Sequence, residues 1–157
     1  MMNKYCRNTL HQIQVAVTTL IEVMDTLEKE DLHKRPTLDK YSVGELLNHI
    51  TTICSADMLI STGASQEQIQ NFYAEVTYSS LAEMKVALMK NYYVLQKHYS
   101  NLTEDELFTK SSSYWGVTYT KYEWLLEILA HLYHHRGQLH AILVHCYQLD
   151  PKVALFE

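Results

Sequence analysis

Only four glycines and two prolines punctuate this 157-residue sequence. A sandwich or barrel of many short strands needs such residues at most of its reversals, because they meet tight-turn geometry with the least strain. So few turn residues leave room for a small number of long elements, and long helices are the natural way to fill them. Hydrophobic residues make up 47% and charged residues 20%, which is ordinary for a chain that buries its own core. The length suits a single core, so one domain over residues 1–157 is expected.

Apolar periodicity supports the helices. Leu10, Ile13, Val17, Leu20, Met24 and Leu27 recur at steps of three and four, the stripe of an amphipathic helix over Asn8–Leu27. Glu28–Tyr41 is polar and contains Pro36, which disfavours helix at Arg35 and marks a connection. Ser42-Val-Gly-Glu45 has the spacing of a capping box, in which serine and glutamate reciprocally satisfy free amides at a helix start. The second helix then runs to about Ile60, stopped by Ser61–Ser65. Residues 66–77 are ambiguous. A third helix begins at Ser79 or Ser80 and carries Leu81, Met84, Leu88, Tyr92, Leu95, Tyr99 and Leu102 on a near-heptad spacing. Thr103–Glu106 can cap a short helix, and Ser111–Tyr119 is expected to be a long, partly extended loop. The fourth helix should span Thr120 to about Gln148, roughly 28 residues and 42 Å, ending at Asp150-Pro151. The expected fold is all-α, a four-helix bundle.

Charge and cysteines narrow the function. A net charge of −5 argues against nucleic acid, since lysine and arginine must displace the counterions of the phosphate backbone. No apolar run reaches the roughly 20 residues of a membrane span, and the N-terminal segment lacks the apolar centre of a signal peptide. Cys6, Cys54 and Cys146 are odd in number and widely spaced, which fits free thiols in a reducing cytoplasm.

The chemistry concentrates on the fourth helix. Trp124 and Ile128 open an inward stripe that Leu139, Ile142, Cys146 and Leu149 resume, and His131 and His135 fill its middle. Side chains four apart differ by only about 40° around a helix axis, so both imidazoles can aim at one metal ion. Such a pair alone is more often surface decoration or a hydrogen-bonded core pair, and His134 offers His131 an alternative partner. A metal site needs a third ligand. His49 is the best supplier, lying one to two turns inside the second helix. His11, His33, His98, His140 and His145 are assigned to surface or polar-network roles. Cys54, five residues past His49, reads as core, and Glu45 as a cap rather than a catalytic acid. Tyr92, Tyr93, Tyr99 and Trp124 are expected to pack.

The run His131-Leu-Tyr-His-His135-Arg-Gly-Gln138 resembles the HxxxHRGQ signature of the DinB/YfiT-like superfamily of metalloenzymes. The serine-initiated helix Ser42-Val-Gly-Glu-Leu-Leu-Asn-His49 resembles that family's other anchor, and Tyr114-Trp115-Gly116 its aromatic-glycine segment before the last helix. The resemblance covers most of the chain. It implies a four-helix bundle in which His49, His131 and His135 hold one divalent metal ion, nickel or zinc first and iron or others after them, and it implies frequent homodimers. Leu132 stands where members often carry an acidic residue, so no general base is carried over there. Val144, His145 and Cys146 stand where many relatives have an arginine.

The remaining motif residues have physical readings of their own. Gly137 is expected to allow a close helix approach. Arg136 reads as exposed, or else paired with Glu45, Glu127 or a partner chain. Gln138 reads as a support for a ligand histidine or as a plain interhelical bond. The resemblance implies a metal-dependent enzyme, with thiol S-transfer from a low-molecular-weight thiol ranked slightly above hydrolysis and a non-catalytic, stress-associated metal binder as the competing class.

Overall fold

Residues 2–157 are described by a computed structural model. Four long helices form the bundle: α1 (Lys4–Asp25), α2 (Val43–Ser61), α4 (Leu81–Ser100) and α6 (Lys121–Ala141). Between them lie a 3-10 turn (Lys29–His33), a short helix α3 (Gln66–Glu75), a single helical turn α5 (Glu104–Leu107) and an antiparallel hairpin of β1 (Lys110–Ser112) with β2 (Thr118–Thr120). Around the bundle the order is α1, α4, α2, α6, each packed on two neighbours. The links from α1 to α2 and from α4 to α6 therefore cross diagonals, and the histidine-bearing helices α2 and α6 become adjacent.

The core follows the apolar stripes. Leu10, Ile13, Val17, Leu20 and Met24 of α1 meet Leu46, Leu47, Ile50 and Ile53 of α2, Leu88, Tyr92 and Leu95 of α4, and Leu125, Ile128 and Leu132 of α6 in one cluster. Cys54 is buried in it, as expected. Tyr93 is not: it stands 54% exposed, one position off the buried stripe that Tyr92 occupies.

Several boundaries differ from expectation, each for a local reason. The first helix starts at Lys4 rather than Asn8, because the Asn3 side chain accepts from the Tyr5 amide and caps it. The ambiguous segment is α3, opened by a capping box in which Ser65 and Gln68 each bond the other's amide. The loop expected over 111–119 holds the hairpin, whose turn places Gly116 at φ +93°. The last helix does not run evenly to Gln148. It opens into a π turn over Ile142–Cys146, and the Leu149 amide donates to the Leu143 carbonyl at 2.8 Å. The chain then turns through Gln148 and Lys152, both at positive φ, and residues 153 and 155 pack back on the core.

At the start of α2, Ser42 and Glu45 form the anticipated capping box, and Arg35 pairs with the Glu45 carboxylate at 2.9 Å. A Cβ at Gly44 would lie 2.9 Å from the Leu32 carbonyl oxygen. Glycine is required there because the 3-10 turn crosses the helix at that point, which fixes α2 five residues before His49.

Candidate metal centre

His49 of α2 and His131 and His135 of α6 meet in the groove between the two helices. One ring nitrogen from each lies within 4.8 Å of those of the other two. His49 Nε2 is 3.2 Å from His131 Nε2 and 3.1 Å from His135 Nε2. All three rings are partly buried. These are the three histidines singled out in the sequence; His134 is exposed, and of the others His11, His33 and His145 are exposed and His98 and His140 half-buried.

Two further side chains decide what these nitrogens can do. Asp57, two turns beyond His49 on α2, accepts from His131 Nδ1 at 2.7 Å. The Gln138 side-chain oxygen accepts from His135 Nδ1 at 2.8 Å. A neutral imidazole has one N–H and one lone pair. With both Nδ1 hydrogens committed, the Nε2 atoms of His131 and His135 present bare lone pairs towards His49. His49 can donate at most one hydrogen and so can satisfy only one of them. This donor set lacks an electrophile, and a divalent ion fits it. Two nitrogens each about 2.0–2.1 Å from one ion at the tetrahedral angle stand about 3.3–3.4 Å apart, within a few tenths of an ångström of the two spacings from His49. Carboxylate and amide partners on the outer nitrogen are how proteins orient histidine ligands.

Proton affinities follow the same arrangement. Burial, reinforced by the neighbouring His135 and His131, pushes His49 down from 6.5 to about 4. The hydrogen bond to Asp57 raises His131, and burial lowers His135. In the metal-free protein the unfolded chain thus holds more protons at His49 than the folded chain between pH 6.5 and about 4. The stability that neutral His49 contributes is complete above that interval and is lost as pH falls through it. His131 runs the other way, its contribution present below its unfolded value and lost as pH rises through the raised one. Metal-free wild type is expected to lose more melting temperature than metal-free His49→Ala when moved from about pH 7 to about pH 4.5. Equal losses would contradict the assignment.

Neighbouring residues shape the surroundings. Asn48 donates to the Tyr78 carbonyl and accepts from the Tyr78 amide, at 2.9 and 2.8 Å, pinning the α3–α4 link beside His49. A cleft of about 520 Å³ opens on that side, with Tyr41, His49 and Tyr73 on its walls. A smaller one of about 230 Å³ opens beside His131 and Asp57 and shares Tyr73.

Arg136 overturns its expected exposure. It is 3% exposed and turns away from the histidines, donating to Thr19 Oγ1 at 2.9 Å and to the Leu155 carbonyl at 2.7 Å. Its guanidinium lies 4.3 and 4.9 Å from the ring centres of Tyr133 and Phe156, and the partner of Glu45 is Arg35. Gly137 meets nothing within 4 Å of an added Cβ, so no close helix approach depends on it. Leu132, at the position where family members often carry an acid, is fully buried and packs in the core.

Asp57 was not anticipated. Its separation from His49, two turns along one helix, was the available signal, but a lone aspartate on a helix reads as solvated surface. No helix among the described residues is long and apolar enough to cross a membrane.

Residues 12–139 match the family model of the DinB superfamily. Among solved structures, the chain is similar to one described as a DinB family protein from Exiguobacterium sibiricum 255-15, at 30% identity over 99% of this chain and 100% of that chain, with a TM-score of 0.87. DinB-like proteins from Bacillus cereus ATCC 10987 and Bacillus subtilis share the fold. The first has 16% identity over 89% of this chain and 91% of that one, TM-score 0.72. The second has 18% identity over 84% and 87%, TM-score 0.64. No functionally curated protein matches the chain.

Proposed function

The chain belongs to the DinB superfamily, and on that footing we propose that it is a metal-dependent enzyme. In this reading His49, His131 and His135 hold one divalent ion, zinc or nickel, and the reaction transfers a low-molecular-weight thiol to an electrophile. The observation that carries it is the convergence of imidazole lone pairs enforced by Asp57 and Gln138. A bound ion would supply a Lewis acid that keeps a thiol or a water deprotonated near neutral pH.

The protein's own groups have separable tasks. Asp57 keeps the hydrogen of His131 on Nδ1, and Gln138 does the same for His135, so neither ring has to change tautomer. The two clefts flank the imidazoles and meet at Tyr73, an arrangement that suits two reactants.

Thiol transfer is ranked above hydrolysis because it needs no general base, whereas the carboxylates lining the two clefts, Glu127 excepted, are already engaged. A hydrolase needs a base to accept the proton of its nucleophilic water in the transition state. Glu45 is tied to Arg35 and the Ser42 amide, and Asp57 to His131. A thiol, more acidic than water, would give its proton to solvent, and its sulfur would bond to the electrophilic carbon as the bond from that carbon to its leaving group breaks and the group departs with the electron pair.

The test is metal analysis of untagged protein beside His135→Ala, followed by a panel of small thiols with a chromogenic electrophile. Stoichiometric metal in wild type only, with metal-dependent conjugation for at least one thiol, is the expected result. Substoichiometric metal in both proteins removes the site, and metal without conjugation by any thiol removes the transferase. Hydrolysis of ester or amide substrates without added thiol would favour the alternative.

A further inference from the structure

The smaller cleft beside His131 joins aromatic and acidic walls to the aliphatic side chains of Ile60, Ile69 and Ile128. Tyr73, Tyr114, Trp115 and Trp124 supply aromatic surface, Asp57 and Glu127 supply carboxylates, and no lysine or arginine lines it. Tyr114 and Trp115 are 46% and 51% exposed and stack edge-on against each other, their ring centres 4.7 Å apart, instead of entering the core. The Glu127 carboxylate has no hydrogen-bond or ion-pair partner among the described residues. Asp57 uses only Oδ2 on His131, leaving Oδ1 free among the described residues. Ring faces attract cations through their quadrupole, most strongly where water is displaced, and unpartnered carboxylates add to that field.

We propose that this cleft is a subsite for a cationic alkylammonium group of the substrate, quaternary or protonated, which it presents beside the three histidines. The proposal rests on the enzymatic reading above for its place next to a reacting centre, while binding of the group itself needs only the cleft. A volume of about 230 Å³ is roughly that of seven or eight liquid water molecules, suited to a choline-sized group and small for a whole drug-sized ligand. An anionic group would meet two carboxylates and no lysine or arginine on the cleft walls. Burial and the nearby Asp57 already push Glu127 upwards, the condition of a carboxylate that lacks a counterion.

The chain has two tryptophans, and both line this cleft, so the two indole N–H signals of an amide-proton NMR spectrum report on it directly. The experiment titrates zinc-loaded, full-length protein with choline chloride and separately with its neutral isostere 3,3-dimethylbutan-1-ol. Zinc content is measured on the same samples. Choline is expected to shift the indole signals saturably, with the isostere at least about fivefold weaker. Glu127→Gln and Trp115→Ala, both at exposed positions, should each weaken choline about threefold or more.

Equal affinity for choline and the isostere, no saturable shift, or variants that bind choline as wild type does would each overturn the subsite. Stoichiometric zinc with no choline response removes the subsite and leaves the metal centre standing. A choline response in protein that holds no zinc supports the subsite and removes the metal centre.

Discussion

Zinc added to the metal-free protein at about a thousand times its dissociation constant is expected to stabilise the fold by about 4 kcal/mol, a rise of about 8–16 °C in melting temperature for a domain of this size. His49→Ala should reduce that rise to about a third or less, because loss of a ligand costs more than the 10- to 100-fold that loss of an outer-nitrogen partner costs. In metal-free protein the same substitution is expected to cost about 1 kcal/mol or less, since the ring it removes faces two lone pairs that it cannot both satisfy. Calorimetry with and without zinc measures both. An undiminished zinc shift in His49→Ala would show that the ion binds elsewhere.

Arg136→Ala is expected to destabilise the protein by about 2–4 kcal/mol. Arg136 is 3% exposed, its bonds go to Thr19 and Leu155, and no carboxylate accompanies it among the described residues. Arg136→Met should cost less than half as much, because methionine fills the slot between Tyr133 and Phe156 without a buried charge. Thr19 would remain satisfied through its own bond to the Val15 carbonyl at 2.7 Å. Urea unfolding gives the energies, and hydrogen exchange at residues 153–157 shows whether the C-terminal tail comes loose. Arg136→Ala within about 0.5 kcal/mol of wild type would mean that the tail is held by its apolar side chains alone.

The bundle was legible because each long helix buries a stripe, and a stripe survives as periodicity in the sequence. The three histidines were legible for a related reason: His131 and His135 interrupt such a stripe, and His49 sits inside another. The missed features lack any such repeat. Helix α3 has the same capping signature as α2, but it buries only Ile69, so no apolar period follows the cap. Asp57 and Arg136 are charged residues whose partners lie 74 and 117 positions away, and burial of that kind is decided by tertiary contact. The π turn after Ala141 leaves the apolar stripe readable while changing the hydrogen bonding beneath it.

The weak attachment of α3 has an evolutionary consequence. The histidines of the candidate metal centre stand on helices where they adjoin core residues such as Ile50 and Leu132, so almost any exchange near them is felt by the whole fold. Tyr73 comes from α3, and Tyr114 and Trp115 come from the turn of the hairpin, segments outside the four-helix core. Selection can rewrite those walls residue by residue while the histidines stay fixed, so relatives can keep one histidine cluster and diverge in what lies beside it.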